Sequence, residues 1–122
     1  MRRPERLAES LREQITEIVG FEMDDPRLLA VTVTDVRVSE NMRDAKVFVI
    51  VQGNEDETKA ALKALQNAAT FVRQQVALNL DLRHAPVINF VRDTVEENAV
   101  RVDSIIRDLT AKGELQEKVN DE

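Results

Sequence analysis

The sequence predicts an α+β domain with helices packed on one face of a small mixed sheet. Three patterns carry that expectation. Apolar residues near the N-terminus recur at helical spacing, and the next two runs alternate with the period of a strand. A long helical pattern then leads into one further strand. The order is helix, strand, strand, long helix, strand, with a weak helical pattern at the end.

Leu7, Leu11, Ile15, Ile18 and Val19 form the stripe of the first helix, and Pro4 suits its opening turn. Gly20 weakens or ends that helix, although the pattern runs on towards Met23. Asp24-Asp25-Pro26 is a firm stop, because the residue before proline avoids the helical region. Val31-Thr32-Val33-Thr34 and Val36-Arg37-Val38 both alternate, but the apolar phase flips between Val33 and Val36. A bulge near Thr34-Asp35, or burial on both faces, accommodates the flip. After a polar turn from Ser39 to Asp44, Ala45, Val47, Val49 and Val51 share one strand face, with Phe48 and Ile50 on the other. The two strands read as an antiparallel hairpin ending at Gly53-Asn54.

Asp56 or Thr58 is placed to cap the long helix, whose acidic start suits the helix dipole. Leu62, Leu65, Ala69, Val72, Val76 and Leu80 form its expected buried stripe, and a small-residue patch at Asn67-Ala68-Ala69-Thr70 makes a kink cheap. Pro86 opens a last strand, Val87 to Val91. Ala99 to Val102 and Ile105, Ile106 and Leu109 suggest a short helix at best. The domain is expected over residues 1–112, with residues 113–122 a charged, disordered tail.

Of the 122 residues, 43% are hydrophobic, enough for a core in a chain of this size, and the net charge is -6. The acidic total disfavours nucleic acid only until its distribution is considered. From Thr58 to Arg92 the charged residues are Lys59, Lys63, Arg73, Arg83 and Arg92 against Asp81 alone. Much of the negative charge falls after Asp93, so a basic face remains available for phosphate contacts. No stretch approaches the ~20 apolar residues of a membrane span. The charged amphipathic start does not resemble a secretory signal, so a cytoplasmic protein is expected.

Catalytic chemistry is hard to place. With no cysteine and with His84 as the single histidine, neither a thiolate nor a multi-histidine metal site is available. His84 is expected in an exposed loop. Asp24-Asp25 reads as turn chemistry and Glu55-Asp56-Glu57 as a solvated helix start. There is no GxGxxG, P-loop or GxSxG motif, so no enzyme, cofactor or metal site is expected. RNA binding is better supported, through Arg3, Arg6, Lys59, Lys63, Arg73 and Arg83 converging on one face. Base stacking needs exposed aromatics, yet Phe21, Phe48, Phe71 and Phe90 all lie in apolar contexts that suggest core. A mode reading backbone and shape is therefore expected. The alternative is a protein-interaction module without direct RNA binding.

Arg3-Pro4-Glu5-Arg6-Leu7-Ala8, Asp25-Pro26-Arg27-Leu28, Val31 to Ser39 and Ala45-Lys46-Val47-Phe48-Val49 follow in an order that resembles the ribosome-binding factor A family. Lys63-Ala64-Leu65, Phe71-Val72-Arg73 and Leu82-Arg83 with Pro86, Ile88, Phe90 and Asp93 extend the similarity over about residues 2 to 109. The resemblance implies a KH-like domain of the second type, with helices meeting at a kink over a three-stranded sheet. It implies a monomeric, non-enzymatic factor that binds immature small ribosomal subunits and their ribosomal RNA. Late maturation, rRNA processing and cold adaptation are the roles that go with it. The RNA-binding set read from the placement of these residues is Arg3, Arg6, Lys59, Lys63, Asn67, Thr70, Arg73 and Arg83, with Lys46 and Arg43 at the hairpin as secondary candidates. The family's Ala-x-Gly kink has threonine here, at Ala68-Ala69-Thr70, and Ala99 stands where glycine is usual. A β-branched residue resists positive φ. Either Thr70 stays in helical space, with its hydroxyl bonding a carbonyl one turn back, or the kink is shallower.

Overall fold

The computed structural model describes residues 2–94. In chain order the elements are α1 (Arg3–Glu17), a π-turn (Ile18–Glu22), a 3-10 turn (Pro26–Leu28), β1 (Val31–Val38), β2 (Asp44–Val51), α2 (Glu55–Asn79) and β3 (Val87–Arg92). All fall in one unit, Met1–Arg92. The pattern expected over residues 99–109 and the tail of 113–122 lie outside the described residues.

The strand order is β1-β2-β3, with β1 antiparallel and β3 parallel to the central β2. The phase flip read in β1 is a bulge. Val33 pairs with Val49 and Asp35 with Phe48, so Thr34 is the extra residue. The Thr34 hydroxyl donates to the Phe48 carbonyl at 3.2 Å. Without the bulge, Val33 and Val36 would point to opposite faces; with it, both are buried in the same cluster.

That cluster joins Leu11, Ile15, Ile18 and Val19 to Leu65, Val72 and Val76 of α2, over Ala45, Val47, Val49, Ile88 and Phe90 of the sheet. Each fully buried Val or Leu contributes roughly 1.5–3 kcal/mol. In α2 the expected stripe needs a correction. Leu62, Ala69 and Leu80 are half-buried at its rim, while Ala61 and Ala64 are buried. A methyl side chain at those positions lets the helix axis lie close to its neighbours.

The end of α1 shows why Gly20 neither continues nor simply breaks it. Continuing at about 100° per residue from Leu11, Ile15 and Ile18 would aim Glu22 into the core. The chain widens instead into a π-turn, closed by the Met23 N–H donating to the Ile18 carbonyl at 3.0 Å. Ile18 and Val19 stay buried and Glu22 reaches solvent. Phe21 leaves the core with it and is 85% exposed, against the expectation drawn from its apolar neighbours.

Asn54, not Asp56 or Thr58, caps α2. Its side chain accepts the Glu57 N–H at 2.8 Å and the Glu57 carboxylate accepts the Asn54 N–H at 3.0 Å, a complete capping box. Thr58 lies one turn in, buried, with its hydroxyl donating to the Asn54 carbonyl at 2.9 Å. At α1 the exchange is one-sided: Glu5 accepts the Arg2 N–H at 3.3 Å, and a guanidinium has no acceptor to return. α2 runs unbroken through residues 67–71 with no positive φ. Thr70 keeps helical backbone, and its hydroxyl makes no bond to the preceding turn among the described residues. This is the shallower of the two geometries open to a threonine there.

The helix closes on Asp81, at φ 53°. The Leu82 N–H donates to Ala77 at 2.8 Å and the Asp81 N–H to Leu78 at 3.3 Å, the pair of bonds of a Schellman motif.

Candidate nucleic-acid interface

α2 sets out the cationic residues in a row. At about 100° per residue, Lys59, Lys63, Asn67, Thr70 and Arg73 fall within roughly a third of the helix circumference. All five are exposed. The row spans roughly 21 Å along the axis at 1.5 Å per residue. From Thr58 to Leu80 the helix has no acidic residue, so its acids are confined to the first turn, at the Lys59 end of the row. Of the three acids of the first turn, Glu57 is held in the capping box and Glu55 in an ion pair with Arg92 at 2.8 Å, which leaves the exposed Asp56 near Lys59.

Arg73 has a second task. Its Nε–H donates to the Ala85 carbonyl at 3.0 Å, tying α2 to the loop ahead of β3. The terminal nitrogens of its guanidinium are left for an anion. Arg83 and His84 are exposed in this same loop, which places Arg83 beside the Arg73 end of the row. Lys59, Lys63, Asn67, Thr70 and Arg83 make no hydrogen bond or ion pair among the described residues. Their hydration shells are all that a phosphate would displace.

The other expected residues do not join this row. Lys46 alternates with the buried Ala45 and Val47, so it is not on the sheet face that α2 covers, and it lines a groove with the start of α1. It pairs in register with Arg37 and Asn89. Lys46 was expected apart from the converging set, at the hairpin, and the period of the strand keeps it off the α2 face. Arg3 and Arg6 are exposed at the start of α1. Gln14 of α1 is hydrogen-bonded to the end of α2, its side-chain oxygen accepting from Asn79 at 3.0 Å. Arg3 lies roughly 16 Å from it along the helix axis. Arg43 is exposed at the hairpin, where its N–H donates to the Asn41 side chain at 3.0 Å.

A groove runs between the start of α1 and the hairpin, where Arg2, Arg37 and Lys46 face Glu5, Glu40 and Asp44. Arg2 bonds Glu40 directly, and that carboxylate holds the guanidinium pKa above its ordinary value. Three cations against three acids make this groove a poor anion site compared with α2.

Two aromatics were not legible as surface residues. Phe21 is carried out by the π-turn, and Phe71 on α2 is 42% exposed. The adjacent Val72 takes the core position, and Phe71, about 100° further round, falls beside Asn67 at the edge of the cationic row. Phe48 and Phe90 are buried as their contexts suggest. Among the described residues no group of three or more His, Cys, Asp or Glu side chains is placed to hold a metal ion.

Comparisons with known proteins agree with this fold. The family model described as Ribosome-binding factor A matches residues 3–106. The ribosome-binding factor A of Thermomicrobium roseum is 43% identical over 120 residues, 98% of this chain and 89% of its own. That of Solibacter usitatus is 42% identical over 106 residues, 87% of this chain and 86% of its own. The crystal structure of ribosome-binding factor A from Thermus thermophilus superposes with a TM-score of 0.65 at 27% identity, covering 73% of this chain and 94% of that one. Coordinates of the Thermus thermophilus factor fitted into a cryo-EM map of its 30S complex give a TM-score of 0.55 at 28% identity, over 73% and 89% of the two chains. With the family model matching residues 3–106 and these identities spanning most of the chain, this chain belongs to the ribosome-binding factor A family.

Proposed function

We propose that this protein binds the small ribosomal subunit and holds ribosomal RNA against the exposed face of α2. The observation that carries the reading is the acid-free stretch from Thr58 to Leu80, on which Lys59, Lys63 and Arg73 stand exposed. Such a row neutralises phosphates without reading sequence, which suits docking on a folded RNA. The 30S complex of the Thermus thermophilus relative supports the choice of partner. Arg83 extends the row across the loop before β3. Arg3 and Arg6 on α1, and Lys46 on the opposite sheet face, are secondary contacts, reached only if the RNA wraps the domain.

In this reading the protein is a monomeric, cytoplasmic assembly factor without catalysis of its own. It occupies precursor subunits during late maturation and rRNA processing, with the greatest benefit in the cold, where misfolded RNA rearranges slowly. Counterion release makes the test quantitative. The logarithm of the affinity for small subunits should fall linearly with the logarithm of salt, with a slope set by the phosphates engaged. Three to four contacts give a slope of about -3. An affinity independent of salt between low and physiological ionic strength would overturn the RNA reading in favour of an apolar protein contact.

A further inference from the structure

A single apolar side chain on a surface is ordinary; what sets Phe71 apart is its company. On the helix surface its neighbours one turn away are Asn67 and Gln74, both exposed. Leu78, seven residues on and 74% exposed, lies almost directly above it along the axis. Of the cationic row, Lys63 is the nearest round the helix, about 80° from the ring and two turns earlier, with Lys59 a turn beyond it. The ring thus has an open face, two side-chain amides beside it and a track of positive charge within the same helix surface. A protein partner docking on this helix would ask for a broad apolar stripe, but apart from Leu78 and the half-buried Ala68 the positions around Phe71 are Asn67, Thr70, Gln74 and Gln75. Charge and ring together match a single-stranded nucleic acid, whose phosphates follow cations while its bases stack on aromatic faces.

Resting on the reading of α2 as the RNA face, we propose that Phe71 is a stacking platform for one unpaired base of a single-stranded RNA segment. The phosphates of that segment follow Lys63 and Lys59, one and two steps further along the helix. The amides of Asn67 and Gln74, each offering donors and an acceptor, meet the edge of the stacked base. This selects unpaired RNA over duplex, because a base already stacked between neighbours offers no free face to the ring.

The chain contains no Trp and no Tyr, so Phe71→Trp installs a single strong fluorophore in the full-length protein. Titration with a uridine-rich RNA octamer should quench its emission to saturation, and a blunt RNA duplex of the same length should not. In a separate equilibrium measurement Phe71→Leu should weaken octamer binding roughly tenfold or more, with the salt slope unchanged, and Phe71→Tyr should retain wild-type affinity. Helical circular dichroism verifies that each variant is folded. Equal binding by Phe71→Leu and the wild type, or equal quenching by the duplex, would overturn stacking. If that occurs while Lys59→Glu with Lys63→Glu abolishes binding, stacking alone fails and the cationic RNA face stands. If neither change matters, or the unmodified chain binds no RNA, both readings fail.

Discussion

Gly53 leaves the hairpin with φ 149°, and an added Cβ there would stand 3.1 Å from the Glu57 side chain that completes the α2 cap. Gly53→Ala therefore meets two penalties, a backbone region closed to L side chains and a displaced capping carboxylate. It should lower the stability by at least about 1 kcal/mol in urea unfolding, with an unchanged m-value. At the 3-10 turn, Asp25 accepts the Arg27 N–H at 2.9 Å and the Arg27 guanidinium at 2.7 Å and 3.0 Å. The side-chain bond from Arg27 first, then the backbone bond, hold the Asp25 carboxyl below its ordinary range. The contribution of this turn is complete above the ordinary aspartate value of about 3.9 and is lost as pH falls through the lower folded value. An NMR titration of the Arg27 amide should show a midpoint below about 3.9, and Arg27→Ala should move the Asp25 midpoint upward. A midpoint at the ordinary value would remove the turn from the acid response.

Among the elements, α2 carries both the fold and the candidate interface, so its ends and middle can be tested apart from its surface. Asn54→Ala removes the acceptor for the Glu57 N–H and should cost about 1 kcal/mol, leaving the RNA affinity of folded protein unchanged. Thr70→Gly tests the backbone at the small-residue patch by its sign. In the unbroken helix found here glycine should destabilise by a few tenths of a kcal/mol relative to threonine. At a left-handed kink it would stabilise instead, and chemical denaturation separates the two. Elements were legible in the sequence wherever a period was unambiguous. The flip of phase between Val33 and Val36 located the bulge, and Pro26 and Pro86 marked boundaries by simple sterics. The cap was not, because Asn54, Asp56 and Thr58 are all suitable residue types within five positions. The glycine ahead of Asn54 and the glutamate three residues after it were the signals that decide among them.

For the whole molecule, the candidate surface was legible in its charge but not in its division. Counting acids and bases along the chain found the stretch after Thr58, since a run without acids is a property of sequence. Lys46 illustrates what a count omits. The alternation that buries Ala45 and Val47 keeps it off the sheet face that α2 covers. The two exposed phenylalanines were hidden for a different reason. Apolar neighbours cannot report that a π-turn rotates Phe21 outward, or that Val72 claims the core place beside Phe71. These placements leave three exposed cations on α2 beyond Thr58, of which Lys59 and Lys63 make no bond within the described residues.

Co-sedimentation of Lys59→Glu with Lys63→Glu tests that surface most directly, because both side chains are exposed and make no bond within the described residues. Each lysine reversed removes one phosphate contact and adds one repulsion. The doubly reversed protein should keep the unfolding midpoint of the wild type to within about 0.5 kcal/mol and lose sedimentation with small ribosomal subunits at moderate salt. Undiminished sedimentation of the folded variant would contradict RNA docking on α2.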